Sequence, residues 1–311
     1  MTETRKYRLV TRSDFDGLVC AVLLRQLDLI DDIAFVHPKD VQDGKVAITG
    51  NDITTNLPYT PQAHLVFDHH ESETLRNTGE RSNHIIRAQA PSAARVVFDH
   101  YGGVSRFPRI NPEMMAAVDQ ADSAQYSLQD ILEPQKWVLL NYLMDSRTGL
   151  GRFKTFTVSN YQLMMDLISY CADHDIDEIL KLPDVVERIH LYTEQTARAR
   201  EQILRCAQVH GNLVVLDLRA EKTIWAANRF LVYALFPQCN ISIHLMLGLQ
   251  GQNVVLATGK SILDRSSRTN VGALMLEHGG GGHAAAGTCQ VSHEAAQSVL
   301  QQLIRRINTD G

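Results

Sequence analysis

Strand-like and helix-like segments alternate along residues 1–125, and this alternation is the feature that most restricts the fold. Short apolar runs bounded by Gly, Pro or Asp predict the strands "KYRLVTR", "IAFVHP", "KVAIT" and "HLVFD". Among them, "DGLVCAVLLRQLDLI", "SAARVVFDHYG" and "NPEMMAAVDQAD" predict helices. Alternation of this kind predicts an α/β fold, with a mostly parallel sheet flanked by helices.

The rest of the chain predicts two further segments. Over 126–210 the strand signal disappears, and long stretches repeat apolar residues at helical spacing. Over 211–311, "LVVLDLR", "ISIHLMLGL" and "NVVLATG" predict strands, and "WAANRFLVYALFP", "NVGALMLEHGG" and "EAAQSVLQQLIRRI" predict helices. We therefore expect an α/β domain over 1–125, a helical connector and a smaller C-terminal α/β domain, with the active site in the cleft between the α/β domains.

Composition and charge narrow the class of protein. The formal net charge of −5 argues against binding of long nucleic acid, which favours a strong basic excess. No apolar run reaches the length of about 18 residues that a membrane span needs, and the polar start of the chain is unlike a signal peptide. The five cysteines form no C-x-x-C pair, which argues against a zinc ribbon and favours a reducing cytoplasm.

Acidic and imidazole side chains follow several of these predicted elements. They are Asp14, Asp16, Asp52, Asp68, His69, His70, Asp119 and Asp122. Ligands of open parallel sheets bind beyond the carboxyl ends of the strands, so these side chains are expected at one edge. Each alone could be a helix cap or a solvated turn. Four segments that bring carboxylates to one edge favour a divalent-metal site, since crowded carboxylates need cations between them, and Mn²⁺ suits such ligands.

The order D-x-D, D, D-H-H, D resembles the DHH phosphoesterase superfamily. The segment "GGGGHAAAG", Gly279 to Gly287, resembles the glycine-rich signature of the C-terminal domain associated with that superfamily. The two motifs occur in the expected order and cover nearly the whole chain. The overall pattern is most similar to the bacterial exopolyphosphatase-related and oligonucleotide phosphodiesterase group.

This resemblance implies a role for each candidate site residue of the first domain. It implies two divalent ions, Mn²⁺ as first choice and Mg²⁺ or Co²⁺ as alternatives. Asp14 would bind the first ion, Asp16, His69 and Asp122 the second, and Asp52 would bridge them. His70 would face the substrate phosphate and protonate the leaving oxygen, and Asp68 would orient His69. Asp122 is preferred to Asp119 because "DS" matches the Asp-Ser/Thr pattern of the family.

The chain departs from the family near the first aspartate. Many relatives carry a histidine two or four residues before it, as a ligand of the first metal, where this chain has Arg12 and Val10. The first metal site is therefore expected to be weak, and Arg12 to be available to a phosphate.

The C-terminal domain contains the predicted phosphate-binding residues. Backbone N–H groups of Gly280, Gly281 and Gly282 can approach an anion with no side chain in the way, and His283 can donate a hydrogen bond. The alternative is a flexible hairpin tip. The family places a phosphate-binding arginine in "GKSILDRSSRTN", and Arg265 and Arg268 are both candidates.

The sequence thus predicts a cytoplasmic metal-dependent phosphoesterase that cleaves P–O bonds of short nucleotides or oligonucleotides with metal-activated water. Its expected partner is a small phosphorylated substrate, neither long nucleic acid nor a membrane, and a homodimer is compatible with the pattern. The alternatives are an exopolyphosphatase or pyrophosphatase, and a nucleotide-binding relative without catalysis. Because both polyphosphate and short RNA fit the motifs, the sequence does not choose between them.

Overall fold

The computed structural model describes residues 5–70, 73–74, 79 and 81–311. The chain divides into two compact units, one of Met1–Gln125 with Pro134–His190 and the other of Tyr126–Glu133 with Leu191–Gly311. The structure therefore divides the chain differently from the three predicted segments. The helical stretch after residue 125 is divided between the two units, since Pro134–His190 belongs to the first unit and Tyr126–Glu133 to the second.

The first unit contains a five-stranded parallel sheet in the order β2-β1-β3-β4-β5. The strands are β1 (Tyr7–Arg12), β2 (Ile30–Val36), β3 (Asp52–Thr55), β4 (Leu65–Asp68) and β5 (His84–Ile86). In the interior strand β1, Leu9, Val10 and Thr11 are fully buried, as expected for a parallel sheet covered on both faces. The predicted α/β fold is confirmed.

Helices α1 to α4 follow these strands in the first unit. They are α1 (Phe15–Gln26), α2 (Pro38–Gln42), α3 (Ala93–His100) and α4 (Pro112–Asp122). Side-chain caps mark the starts of α1, α3 and α4. The side chains of Asp14, Ser92 and Asn111 accept hydrogen bonds from the backbone N–H groups of Gly17, Arg95 and Glu113, respectively.

Further along the chain lie α5 to α9. They are α5 (Leu128–Leu132), α6 (Lys136–Met144), α7 (Asn160–Asp173), α8 (Ile176–Ile179) and α9 (Pro183–Cys206). In the part of the chain that the structure describes, no helix is both long and apolar enough to cross a membrane.

The second unit contains a six-stranded mixed sheet in the order β10-β11-β9-β8-β7-β6. Its strands are β6 (Ala207–His210), β7 (Leu213–Asp217), β8 (Ile241–Leu247), β9 (Val254–Lys260), β10 (Gly281–His283) and β11 (Ala286–Val291). Its helices after α9 are α10 (Leu231–Leu235), α11 (Val271–Leu276) and α12 (His293–Asp310). Alternate residues Ile241, Ile243 and Leu245 of β8 join α11 and α12 in one apolar core.

Two sequence predictions about elements were wrong. Residues 45–49, "KVAIT", form no strand, and all five are partly or fully exposed, so an apolar composition did not bury them. The helix predicted in "WAANRFLVYALFP" is confined to Leu231–Leu235. The first difference matters for the site, because it changes where Asp52 lies.

Candidate active site

Three of the predicted metal ligands meet in the first unit. Asp16 lies in the first turn of α1, His69 follows β4, and Asp122 ends α4. One ligand atom from each residue lies within 4.8 Å of the others. Carboxylate oxygen and imidazole nitrogen are ligands that Mn²⁺ and related divalent ions accept, so the donor set fits such an ion.

The contact between His69 and Asp122 supports this fit. Nε2 of His69 lies 2.7 Å from Oδ2 of Asp122. The same Nε2 is buried, and among the described residues it has no partner in hydrogen-bonding geometry. On the other side of the ring, Nδ1 of His69 donates to the carbonyl oxygen of Ala90 at 3.1 Å, which fixes the ring and leaves Nε2 facing the carboxylates.

The electrostatics of the cluster favour a cation. Burial raises the pKa of Asp16 well above its ordinary value, and the nearby Asp122 raises it further. Burial would lower the pKa of His69, but Asp122 and then Asp16 raise it to about 9. Burial also raises the pKa of Asp122, but His69 outweighs this and the net shift is downward. Without a metal the cluster thus holds protons, which a divalent ion can replace.

The carboxylate of Asp16 is held by the start of α3. Its two oxygens accept hydrogen bonds from the backbone N–H groups of Ala93 at 3.0 Å and Ala94 at 2.7 Å. Asp16 therefore does not cap its own helix, which is the task of Asp14. Carboxylate oxygens have further lone pairs, so these bonds orient the group and leave it able to bind a metal.

Asp14 is close to this cluster but is engaged by other groups. Its carboxylate forms an ion pair with Arg12, whose Nε lies 2.9 Å away. It also accepts hydrogen bonds from Nδ2 of Asn56 at 3.3 Å and from the N–H of Gly17 at 3.0 Å. Burial raises the pKa of Asp14, Arg12 lowers it and Asp122 raises it. A guanidinium thus partly neutralises the predicted ligand of the first metal.

Asp68 orients a different histidine from the one predicted. Its Oδ1 accepts a hydrogen bond from Nδ1 of His70 at 2.7 Å, whereas His69 is held by the Ala90 carbonyl. Asp68 is fully buried, and its Oδ2 has no hydrogen-bond partner among the described residues.

Asp52 is not brought together with the other candidates. It begins β3 and pairs with Arg8 at the start of β1, so it lies at the amino end of the sheet. Its oxygens accept from Nε of Arg8 at 2.7 Å and from the N–H of Thr49 at 2.6 Å. The prediction that Asp52 follows its strand was wrong, and the structure gives it no place in a bridging position.

Asn56 occupies the position that sequence reasoning assigned to Asp52. It follows β3 at the carboxyl edge, has a positive φ of 55°, and contacts Asp14. Its Oδ1 is buried and has no hydrogen-bond partner among the described residues. Asn tolerates this left-handed backbone better than most residues. An accurate strand boundary over "DITT" would have identified Asn56 from the sequence.

The structure also separates Asp119 from Asp122. Asp119 accepts hydrogen bonds from Oγ of Ser92 at 2.7 Å and from Nε of Arg95 at 3.0 Å, whereas Asp122 faces His69.

A further residue missed by sequence reasoning is Arg147, in the loop after α6. Burial lowers the pKa of Arg147, but Asp145, Asp14 and Asp122 raise it, which places its positive charge near the acidic cluster.

In the second unit, the four glycines form part of a β-hairpin. A Cβ on Gly280 or Gly282 would collide with the facing strand β11, so these two glycines are required by packing. Gly281 has open space at its Cβ position. His283 is exposed, and its Nδ1 accepts from the N–H of Ala285 at 3.3 Å.

The two candidate arginines of the second unit differ in their surroundings. Nε of Arg265 donates to the carbonyl oxygen of Ile262 at 3.2 Å. The backbone N–H of Arg268 donates to Gly311, and its guanidinium lies beside that residue. These contacts do not decide between the two arginines as the predicted phosphate-binding residue.

Comparison with known proteins gives one strong similarity and several weak ones. No family model and no curated protein matches the sequence. The solved structure of a pGpG-specific phosphodiesterase, PggH from Vibrio cholerae, is 62% identical, with a TM-score of 0.89, and the match covers 98% of this chain and 100% of that one.

Two further structures show the same fold at low identity. The RecJ structure with Mn²⁺ from Thermus thermophilus is 15% identical, with a TM-score of 0.55, over 97% of this chain and 52% of RecJ. The DHH domain of a member of the S1p family of ribosomal proteins is 11% identical, with a TM-score of 0.55, over 97% of this chain and 87% of that one.

Proposed function

The chain belongs to the DHH phosphoesterase superfamily, and on this premise we propose that it is a divalent-metal-dependent phosphodiesterase that hydrolyses short oligonucleotides, with pGpG as its first expected substrate. The observation that carries the proposal is the cluster of Asp16, His69 and Asp122, whose ligand atoms lie within 4.8 Å of one another. The 62% identity to a pGpG-specific phosphodiesterase supports the choice of substrate.

Asp16, His69 and Asp122 would hold the catalytic ion, and we propose Mn²⁺. When bound, such an ion lowers the pKa of a water molecule so that hydroxide is available near neutral pH. The first metal site, at Asp14, is proposed to be weak because the Arg12 guanidinium already pairs with that carboxylate at 2.9 Å. Asn56 is a candidate ligand there, since its buried Oδ1 has no hydrogen-bond partner in the described part of the chain.

His70 is proposed to protonate the leaving oxygen. Its ring is 43% exposed, and Asp68 holds Nδ1, which leaves Nε2 available to a substrate. A carboxylate that holds one imidazole nitrogen fixes the tautomer and stabilises the protonated ring. Asp68 therefore acts as a positioning residue for His70.

The charges around the cluster are proposed to bind the substrate phosphate. Arg12 is 32% exposed and can exchange its partner Asp14 for a phosphate oxygen. In the second unit, one of Arg265 and Arg268, together with Gly281 and His283, is proposed to contact a phosphate. The proposed setting is the cytoplasm, where the five free cysteines stay reduced, and a homodimer remains a prediction.

One observation favours a second candidate function. The Arg12–Asp14 ion pair occupies the carboxylate expected for the first metal, which is what a nucleotide-binding relative without catalysis would contain. If two ions are required for turnover, this pair would leave the protein able to bind nucleotides but unable to cleave them.

The test is Mn²⁺-dependent cleavage of a panel containing pGpG, pApA, a five-nucleotide RNA, pyrophosphate and medium-chain polyphosphate. We expect turnover of pGpG, lost in His70→Ala and retained in the control His174→Ala, which changes an exposed histidine of the first unit. Turnover of polyphosphate but not of nucleotides would overturn the proposed substrate. Tight nucleotide binding without any turnover would establish the second candidate.

A further inference from the structure

A cavity lies beside the candidate site in the first unit. It has a volume of ≈ 390 Å³ and is bounded by the end of β2, the start of α2, the end of α6 and the start of α7. Arg12 and Pro38 line this cavity and also a smaller one of ≈ 220 Å³ that contains Asp68 and His70. The two cavities are therefore adjacent, with Arg12 and Pro38 contributing to both.

One wall of the larger cavity presents an anchored aromatic pair. The rings of Phe35 and Tyr161 meet edge to face, with centroids 6.1 Å apart and planes at 82°. Tyr161 is 51% exposed, yet its hydroxyl donates to the carbonyl oxygen of Ile33 at 3.3 Å. An exposed ring that is fixed at its tip offers a preformed surface for stacking, at little cost in conformational entropy.

The charges that line the cavity are mainly positive. Among its described lining residues are Arg12, Lys154 and Arg188, against the carboxylate of Asp145. Arg188 is 1% exposed, and its guanidinium donates to Asn160, Val158 and Asp184, so it is a rigid part of the wall. Leu143, Met144 and Leu163 supply apolar surface.

This combination fits an anionic ligand that carries a flat aromatic ring. A phosphate chain without a base would use the positive charges but not the aromatic pair or the aliphatic surface. The volume lies within the range of about 300–1,000 Å³ that is typical of small-ligand pockets.

We propose that this cavity binds a nucleobase of the substrate, with Tyr161 as the stacking platform and Arg12 beside the adjoining phosphate. The inference rests on the proposed function and deepens it, because it assigns the substrate to the nucleotides and explains how polyphosphate is disfavoured. Base–aromatic stacking of this kind contributes to affinity without requiring a particular base sequence.

The test compares binding of GMP and ribose 5-phosphate by isothermal titration calorimetry in the presence of Mn²⁺. The two ligands share a sugar phosphate, and only GMP has a base. We expect the full-length wild-type protein to bind GMP roughly tenfold or more tightly than ribose 5-phosphate, the size of one stacking contact. Tyr161→Ala should remove this difference and leave the affinity for ribose 5-phosphate unchanged.

Two control variants complete the design. Tyr161→Phe keeps the ring and should retain most of the preference for GMP. Tyr170→Ala changes another partly exposed tyrosine of α7 and should behave as wild type. Equal wild-type affinities for the two ligands, absent GMP binding, or full GMP affinity in Tyr161→Ala would each overturn the inference. GMP binding that depends on Tyr161 without any pGpG turnover would sustain the pocket and reject the proposed catalysis.

Discussion

Asp68 and His70 form a hydrogen bond of 2.7 Å between a fully buried carboxylate and an imidazole that is 43% exposed. The pair connects the inside of the first unit to the surface where a substrate would bind. Because the carboxylate is enclosed by the fold, its hydrogen bond orients the exposed ring. His69, the adjacent residue, is oriented separately by the Ala90 carbonyl.

Asp68→Asn should lower kcat for pGpG about 10- to 100-fold with little change in KM, because His70 loses its tautomer and orientation. Steady-state kinetics check the prediction. In the double variant with His70→Ala, the Asp68→Asn change should have almost no additional effect, since both act through one ring. Fully additive effects of the two changes would show that Asp68 acts elsewhere.

Removal of the Asp122 carboxylate should abolish stabilisation by Mn²⁺. A ligand that binds only the folded state at 100 times its Kd contributes about 2.7 kcal/mol, so Mn²⁺ should raise the Tm of the wild-type protein. Asp122→Asn should show no such rise, as measured by differential scanning calorimetry. Asp119→Asn, three residues earlier on the same helix, is the matched control and should keep it, because Asp119 contacts Arg95 and Ser92 instead.

Mn²⁺ affinity should increase with pH between about 6.5 and 9. In the metal-free protein Asp122 helps to raise the pKa of His69 to about 9, so the ring is protonated at pH 7 and must lose its proton to bind a metal. Calorimetric titrations in two buffers of different ionisation heat should detect released protons at pH 7.5. Affinity that is constant from pH 6.5 to 8.5 would contradict this account.

The raised pKa of His69 also makes the stability of the metal-free protein depend on pH. The folded-state pKa of His69 lies above the ordinary value of 6.5, so its contribution to stability is complete below pH 6.5. That contribution is lost as the pH rises through about 9. Urea titrations in EDTA should therefore show a decrease in stability over this range that is smaller in His69→Asn.

Asp52→Ala should reduce stability while leaving catalysis intact. The side chain of Asp52 is 2% exposed and accepts from Arg8, which is 35% exposed, and from Thr49. Loss of these bonds should cost about 1–3 kcal/mol, towards the lower end because Arg8 can turn to water. Urea unfolding measures the cost, and unchanged kcat for pGpG checks that Asp52 holds no catalytic metal. A loss of Mn²⁺ binding in this variant would restore Asp52 to the site.

Much of the candidate site could be predicted from residue order. Asp14 and Asp16 follow the first strand, His69 follows β4, and Asp122 ends a helix that the sequence marks clearly. The carboxyl ends of parallel strands meet at one edge, so knowledge of the strands is enough to bring such residues together. The predicted gathering of Asp16, His69 and Asp122 needed no knowledge of side-chain packing.

Strand boundaries and side-chain partners required the tertiary structure. The run 45–49 is as apolar as a strand but is partly or fully exposed, and only the pairing of Arg8 with Asp52 reveals that β3 begins after it. That pairing joins residues far apart in sequence and depends on the whole sheet. The local composition of either segment therefore cannot specify it.

The sequence by itself determined the α/β class, the edge of the sheet where the candidate site lies, and the residues that follow each correctly located strand. These features depend on local periodicity and on the fixed geometry of parallel sheets. Only the tertiary structure decided that Asp68 holds His70, that Arg12 pairs with Asp14, and that Asn56 takes the position expected for an aspartate. Those choices depend on which side chains meet after the chain has folded, and that information is distributed over distant segments.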